Sequence, residues 1–205
     1  MTSSRTTGPG QYDGHPGGAP VLVDVTERIE GASALDAPAA VIQRFVDALL
    51  ADPQRRQLLH GTWLGHAVHP ILTDLPIGFW TSTTVLDLIG GKKSRPAATR
   101  LLGLGLAAAV PTALTGWAEW GVAEQREQRV GLVHAGANVA ALSLYAASFA
   151  ARRKGAHRRG VMLGLAGSAA ATVGGYLGGH MTSARKVSTR HPAFDEARSP
   201  GVAPS

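Results

Sequence analysis

Four histidines stand in short motifs far apart in the chain: His66 and His69 in GHAVHPILTDLPIG, His134 in GLVHAGAN, and His180 in YLGGH. Neutral imidazole ligates transition metals and haem iron, so a set of this kind can hold a cofactor. Asp74 and Asn138 stand near them in sequence and are candidates to orient an imidazole ring through a hydrogen bond. The chain has no cysteine. Disulfides, thiolate metal sites and cysteine-ligated iron–sulfur clusters within it are therefore excluded. It also has no Walker loop, no HExxH and no recognisable Ser-His-Asp arrangement. The chemistry falls on these six side chains.

The elements that must position them are apolar. Four stretches of about 20 residues, 70–89, 97–117, 131–151 and 160–180, each match a hydrocarbon core of about 30 Å as helices. Their connections are short, which predicts antiparallel neighbours. The expected fold is all-α: an integral membrane four-helix bundle with up-down-up-down topology. Residues 65–181 form this domain. Ahead of it, 36–64 hold a short amphipathic helix and a linker. Asp36 is placed to N-cap that helix and Pro38 suits its first turn. Val41, Ile42, Phe45, Val46, Leu49 and Leu50 share one face, which reads as lying on the membrane or on the bundle. Residues 1–35 and 182–205, rich in Gly, Pro, Ser and Thr, read as a disordered N-terminal tail and a polar C-terminal tail.

Lys92, Lys93, Arg95 and Arg100 cluster between the first two spans, and Arg152, Arg153, Lys154, Arg158 and Arg159 between the last two. The net charge of +6 thus reads as a topology signal, and no nucleic-acid motif accompanies it. The basic loops face the cytoplasm. The protein is expected to be multi-pass in the inner (plasma) membrane, with both termini extracytoplasmic. All four histidines then gather at the outer rim. His69, Thr73, Trp80, Thr84 and Asp87 share one face of the first span, and His134, Asn138 and Tyr145 one face of the third. Such stripes are costly in lipid and belong inside. Pro76 frees the carbonyl of Leu72 and favours a kink near Asp74. Gly160/Gly164/Ser168 and Gly175/Gly179 in the last span allow close helix approach.

Three readings of the rim stand side by side. Two facing histidines ligate a b-type haem in an apolar slot. Alternatively His66, His69, His134 and His180 bind a single transition-metal ion, zinc, copper or iron, with Asp74 or Asn138 behind them. In the third, the histidines are structural and bond helix-end backbone, with Asp74 paired to one of them. Asp87 reads as an interfacial partner of Lys92 and Lys93. The tryptophans Trp63, Trp80, Trp117 and Trp120 read mostly as interface anchors. His15, His60, His157 and His191 read as solvated or interfacial.

The motif order GHxxHPxxTDxPIG, TGWxxW, GLxHxxxN and GGH, over about residues 58–181, resembles the bacterial membrane family called domain of unknown function 2231. In that family the domain is often followed by a Rieske-type iron–sulfur domain. The resemblance implies electron transfer near the membrane surface and favours haem over a metal ion. It carries Gly65, His66, His69, Pro70, Asp74, Pro76, Gly78, Gly116, Trp117, His134, Asn138, Gly179 and His180 as motif positions. No Rieske ligands follow His180 here, so the iron–sulfur or other redox partner is expected to be a separate protein or absent. The chain reads as a component rather than a stand-alone enzyme, with the lipid bilayer as a partner and self-association left open.

Overall fold

The computed structural model describes residues 20–188. His15, His191 and most of both expected tails lie outside these residues. Seven helices appear in chain order: α1 (Val21–Glu30), α2 (Asp36–Leu50), α3 (Pro53–His60), α4 (His69–Ile89), α5 (Arg95–Gly121), α6 (Gln125–Arg153) and α7 (His157–Gly179). The described residues contain no strand. A single π-helical turn, His180–Ala184, follows α7.

Three helical segments are long and apolar enough to cross a membrane: Lys92–Gly121, Gln125–Arg153 and His157–Ala184. The fourth expected span, α4, has the length, 21 residues, but is less apolar. Its Thr, Asp and Pro residues, the ones singled out for chemistry, lower its hydropathy. The packing pairs are α4 with α5, α5 with α6, α6 with α7, and α7 with α4, the tightest being α6/α7 and α4/α5. The helices also run past their expected ends. The loop expected over 118–130 shrinks to Val122–Glu124, because Gln125 already starts α6.

The stretch expected to be disordered contains α1. This helix is held by distant residues. Glu30 accepts from Arg185 through Oε1 at 2.7 Å and Oε2 at 2.6 Å, and pairs with His180 Nε2 at 2.8 Å. Arg129 donates to the Glu30 carbonyl at 2.6 Å and to both oxygens of Asp36. Asp36 therefore does not cap α2, because its carboxylate is drawn to a guanidinium instead. Burial pushes the Glu30 carboxyl up, but the hydrogen bonds and charges of Arg185 and His180 outweigh it and hold it below its ordinary value. A depressed carboxyl contributes stability above its unfolded pKa and loses it as pH falls through the folded one. Acidification below the ordinary glutamate value of about 4.3 is thus expected to release α1 before the spans. Limited proteolysis across a pH series reads this as cleavage within 21–30 that appears only at the acid end.

The α6/α7 pair has a simple logic. His134, Asn138, Ala141, Tyr145, Ser148 and Arg152 follow a seven-residue repeat on α6. Opposite them α7 presents Gly178, Gly174, Gly167, Gly164 and Gly160. A Cβ at Gly178 would lie 3.0 Å from His134, at Gly167 3.0 Å from the Tyr145 ring, and at Gly160 2.5 Å from Arg152. Large polar side chains on one helix thus lie on bare backbone of the next. Of the two sets expected to allow close approach, Gly160 and Gly164 do so, whereas Gly175 and Gly179 have nothing nearby.

Asp87 is taken by Arg152 of α6 rather than by Lys92 or Lys93. The guanidinium binds both carboxylate oxygens, Nη1 at 2.7 Å from Oδ1. The side chains are 1% and 4% exposed, so the pair is buried. Trp80 is also no interface anchor. It is 8% exposed and stacks on Tyr145 with ring centroids 4.3 Å apart.

Candidate functional site

Pro76 has no N–H, so the Leu72 carbonyl one turn earlier lacks its helical partner. The hydroxyl of Thr112 on α5 donates to it at 3.1 Å. In return His69 of α4 donates from Nδ1 to the Thr112 carbonyl at 3.0 Å, with Thr115 Oγ1 3.3 Å away. The two helices exchange a bond in each direction. Gly116 leaves room for the ring, since a Cβ there would lie 2.8 Å from His69 Cε1.

His134 is fixed the same way on the other side. Its Nδ1 lies 2.7 Å from the Gly174 carbonyl of α7. A carbonyl only accepts, so in both rings Nδ1 carries the proton and, in the neutral form, Nε2 carries the lone pair. The Asn138 amide donates to His134 Nε2 at 2.9 Å. Among the described residues His69 Nε2 has no hydrogen-bond partner.

Both rings line one cavity of about 430 Å³ enclosed by α4, α5, α6 and α7. This is within the size range of about 300–1,000 Å³ for small-ligand sites. Trp80, Leu142 and Ala171 line its inner part, and Glu119, Glu127 and Ser188 its mouth near the α5–α6 turn. Most of the lining is apolar. One oxygen of Glu127 is buried without a partner, whereas both oxygens of Glu119 are engaged, by His60 Nδ1 at 3.1 Å and the Ser188 hydroxyl at 2.7 Å.

Of the six side chains singled out in the sequence, His69, His134 and Asn138 meet in this cavity. His180 is turned to Glu30. His66 is exposed, with Nδ1 3.2 Å from the Ala67 carbonyl. Asp74 is exposed and bonds no histidine. It follows His69 by five residues, about 500° of helix, which puts it roughly 140° around from the ring. The four histidines therefore form no single cluster. Among the described residues no group of three His, Cys, Asp or Glu is placed to hold a metal ion. Sequence reasoning missed three contributors. Glu127 falls in the stretch expected to be a loop, His60 is expected to be solvated, and Gly178 belongs to neither of the small-residue spacings singled out in the last span. Only Gly178 carried a signal, its place in the seven-residue repeat.

The family model for predicted membrane proteins with the domain of unknown function DUF2231 matches residues 65–191, more than half of the chain. No curated protein and no solved structure matches it.

Proposed function

Because the chain belongs to the DUF2231 family of predicted membrane proteins, we propose that it is a multi-pass electron-transfer component holding a b-type haem between His69 and His134. The single observation that carries this reading is the shared anchoring of the two rings. Each Nδ1 donates to a carbonyl of a neighbouring helix, the usual support of a ligating histidine, and leaves Nε2 as the donor atom. A haem bound there supplies one-electron transfer. The chain's own residues hold it by two imidazoles, orient those through Thr112 and Gly174, and exclude water with Trp80 and the apolar wall.

Two features of the donor set bear on the fit. Ligation at His134 requires the Asn138 amide to leave Nε2. Among the described residues no Lys or Arg lines the cavity, so the acidic groups of a haem would find no cationic partner on its wall. A single metal ion is less well supported, since only two imidazoles enter the cavity. In this reading α4 is the fourth span of an antiparallel bundle. Its polar stripe turns inward, with His69, Thr73 and Trp80 on the cavity and Thr84 and Asp87 bonded to Ser168 and Arg152, while Ile71, Leu75, Val85 and Leu88 are exposed, as a lipid-facing surface requires. The basic loops at the opposite end support an extracytoplasmic mouth by the positive-inside rule, where a separate iron–sulfur or other redox protein would meet it.

The test is the visible spectrum of protein purified in detergent after haem-supplemented expression. A Soret band is expected in the wild type, lost in His69→Ala and in His134→Ala, and kept in His66→Ala and His180→Ala. Absence of the band from wild-type protein with intact helical circular dichroism overturns the proposal in favour of structural histidines.

A further inference from the structure

Among the described residues nothing covers the outer side of α2. Its inner side, Ala39, Val46 and Leu50, is buried against the α5 end and its surroundings. There Gln43 donates to the Gly121 carbonyl at 3.2 Å. Its outer side carries Val41 and Phe45, 54% and 72% exposed. Between the two sides Ile42, Phe45, Val46, Leu49 and Trp117 line an apolar groove of about 240 Å³.

The depth of this groove follows from α5. Gly121 ends a helix apolar enough to cross a membrane, and Trp117 lies one turn inside that end. Phe45 shares a groove with Trp117, so it reaches down the side of the span instead of away from it. An exposed aromatic ring at this depth, beside a tryptophan, is the composition of a membrane–water interface. Arg44 on α2 and Arg56 on α3 are exposed and suit anionic headgroups, whereas the Arg55 guanidinium is held by the carbonyls of Leu49 and Ala48. A helix that buries one apolar face on its bundle and presents another at the span end has the bilayer for its second partner.

We infer that the outer face of α2 is a lipid-binding surface. It lies in the headgroup layer with Phe45 among the upper acyl chains, and the groove beside Trp117 takes a phospholipid acyl chain. The occupant is the bilayer, not a second copy of the chain and not a soluble protein. The inference rests on the reading that α5 crosses the membrane, and the experiment separates the two.

The absence of cysteine makes the test direct. Single variants Phe45→Cys, Asp47→Cys and Leu104→Cys are spin-labelled and reconstituted in vesicles of equal parts phosphatidylcholine and phosphatidylglycerol. Asp47 is exposed on the polar side of α2, and Leu104 is an exposed mid-span position on α5. Collision with oxygen and with a water-soluble nickel chelate reports depth. The expected result is a Phe45 label rich in oxygen collisions and shielded from nickel, intermediate between the deep Leu104 label and the water-exposed Asp47 label. A Phe45 label as open to nickel as Asp47, with Leu104 shielded, overturns the inference and leaves the span intact. Nickel access at Leu104 as well overturns both. Spin–spin broadening at Phe45 that vanishes on dilution with unlabelled protein identifies a second copy as the occupant and also overturns it.

Discussion

Arg152→Ala is expected to cost about 3–5 kcal/mol of stability, the range for removing one partner of a buried ion pair. The arginine leaves behind a carboxylate that is 4% exposed and has no other cation in reach of a hydrogen bond. Asp87 must then take up a proton or draw water into the base of the helices. The loss is larger than the worth of the pair itself, since most of it is the penalty for the abandoned charge. The double variant Asp87→Leu/Arg152→Met is therefore expected to recover most of the loss, while Arg152→Lys recovers little. A lysine keeps the charge but lacks the planar fork that meets both carboxylate oxygens, and it cannot reproduce the 3.2 Å contact of Nε with Ser148. Denaturant unfolding in detergent micelles, followed by helical circular dichroism, measures the four stabilities. Near-equal loss in the single and double variants would remove the abandoned-charge explanation.

Trp80→Ala is the second large effect. A tryptophan to alanine change inside a packed core costs about 3–5 kcal/mol. With α4 as the proposed fourth span, the water-to-core transfer part of that range shrinks, and a loss of about 3 kcal/mol is expected. Trp80 is wedged between the Tyr145 ring and the backbone at Gly105, where no side chain fits without displacing the indole. Its Nε1 is buried and makes no hydrogen bond. That orphan makes Trp80→Phe informative. Phenylalanine keeps the stack and discards a desolvated donor worth about 1–3 kcal/mol when unsatisfied. Its stability should fall by less than half as much as that of the alanine variant. Thermal unfolding of the three proteins in the same detergent decides it, and equal losses for alanine and phenylalanine would show that the indole N–H has a partner.

These effects show which features can be read before folding. The inward face of α4 was legible, because His69, Thr73, Trp80, Thr84 and Asp87 repeat with the helical period and charge is excluded from lipid. The freed carbonyl of Leu72 was legible for the same local reason, since proline has no N–H. What takes that carbonyl was not. Thr112 is 40 residues away, and only the packing of α4 on α5 brings it there. The fate of His180 depends on Glu30, 150 residues distant, in a segment whose composition gave no sign of a helix. Its order comes from Arg129 and Arg185, not from local propensity. Of the small-residue spacings in α7, Gly160 and Gly164 do meet α6, whereas the Gly175/Gly179 pair is misregistered for a geometric reason. A strict four-residue spacing drifts around the helix, whereas a contact between two long helices follows alternating steps of three and four. Gly174 and Gly178 satisfy that repeat, and Gly175 and Gly179 do not. Asp74 was legible and misread, because five residues from His69 cannot share its face.

The distribution of cross-links has a mechanical consequence. α4 and α5 form one hairpin, α6 and α7 another. At the end bearing the basic loops the hairpins are fastened to each other by Asp87–Arg152, by Thr84 Oγ1 with Ser168 Oγ at 3.2 Å, and by the Trp80–Tyr145 stack. Toward the mouth no hydrogen bond joins α4 to α6 or α7, and the space between them is the cavity. The hairpins are nevertheless tied at the mouth end through α5, where the turn 122–124 runs straight into α6 and Trp120 Nε1 donates to the Gln128 carbonyl at 2.9 Å. His69 sits on α4 and His134 on α6, the two walls with no such bond between them. Anything that grips both imidazoles adds that link, and its binding energy then appears as resistance to the parting of α4 from α6.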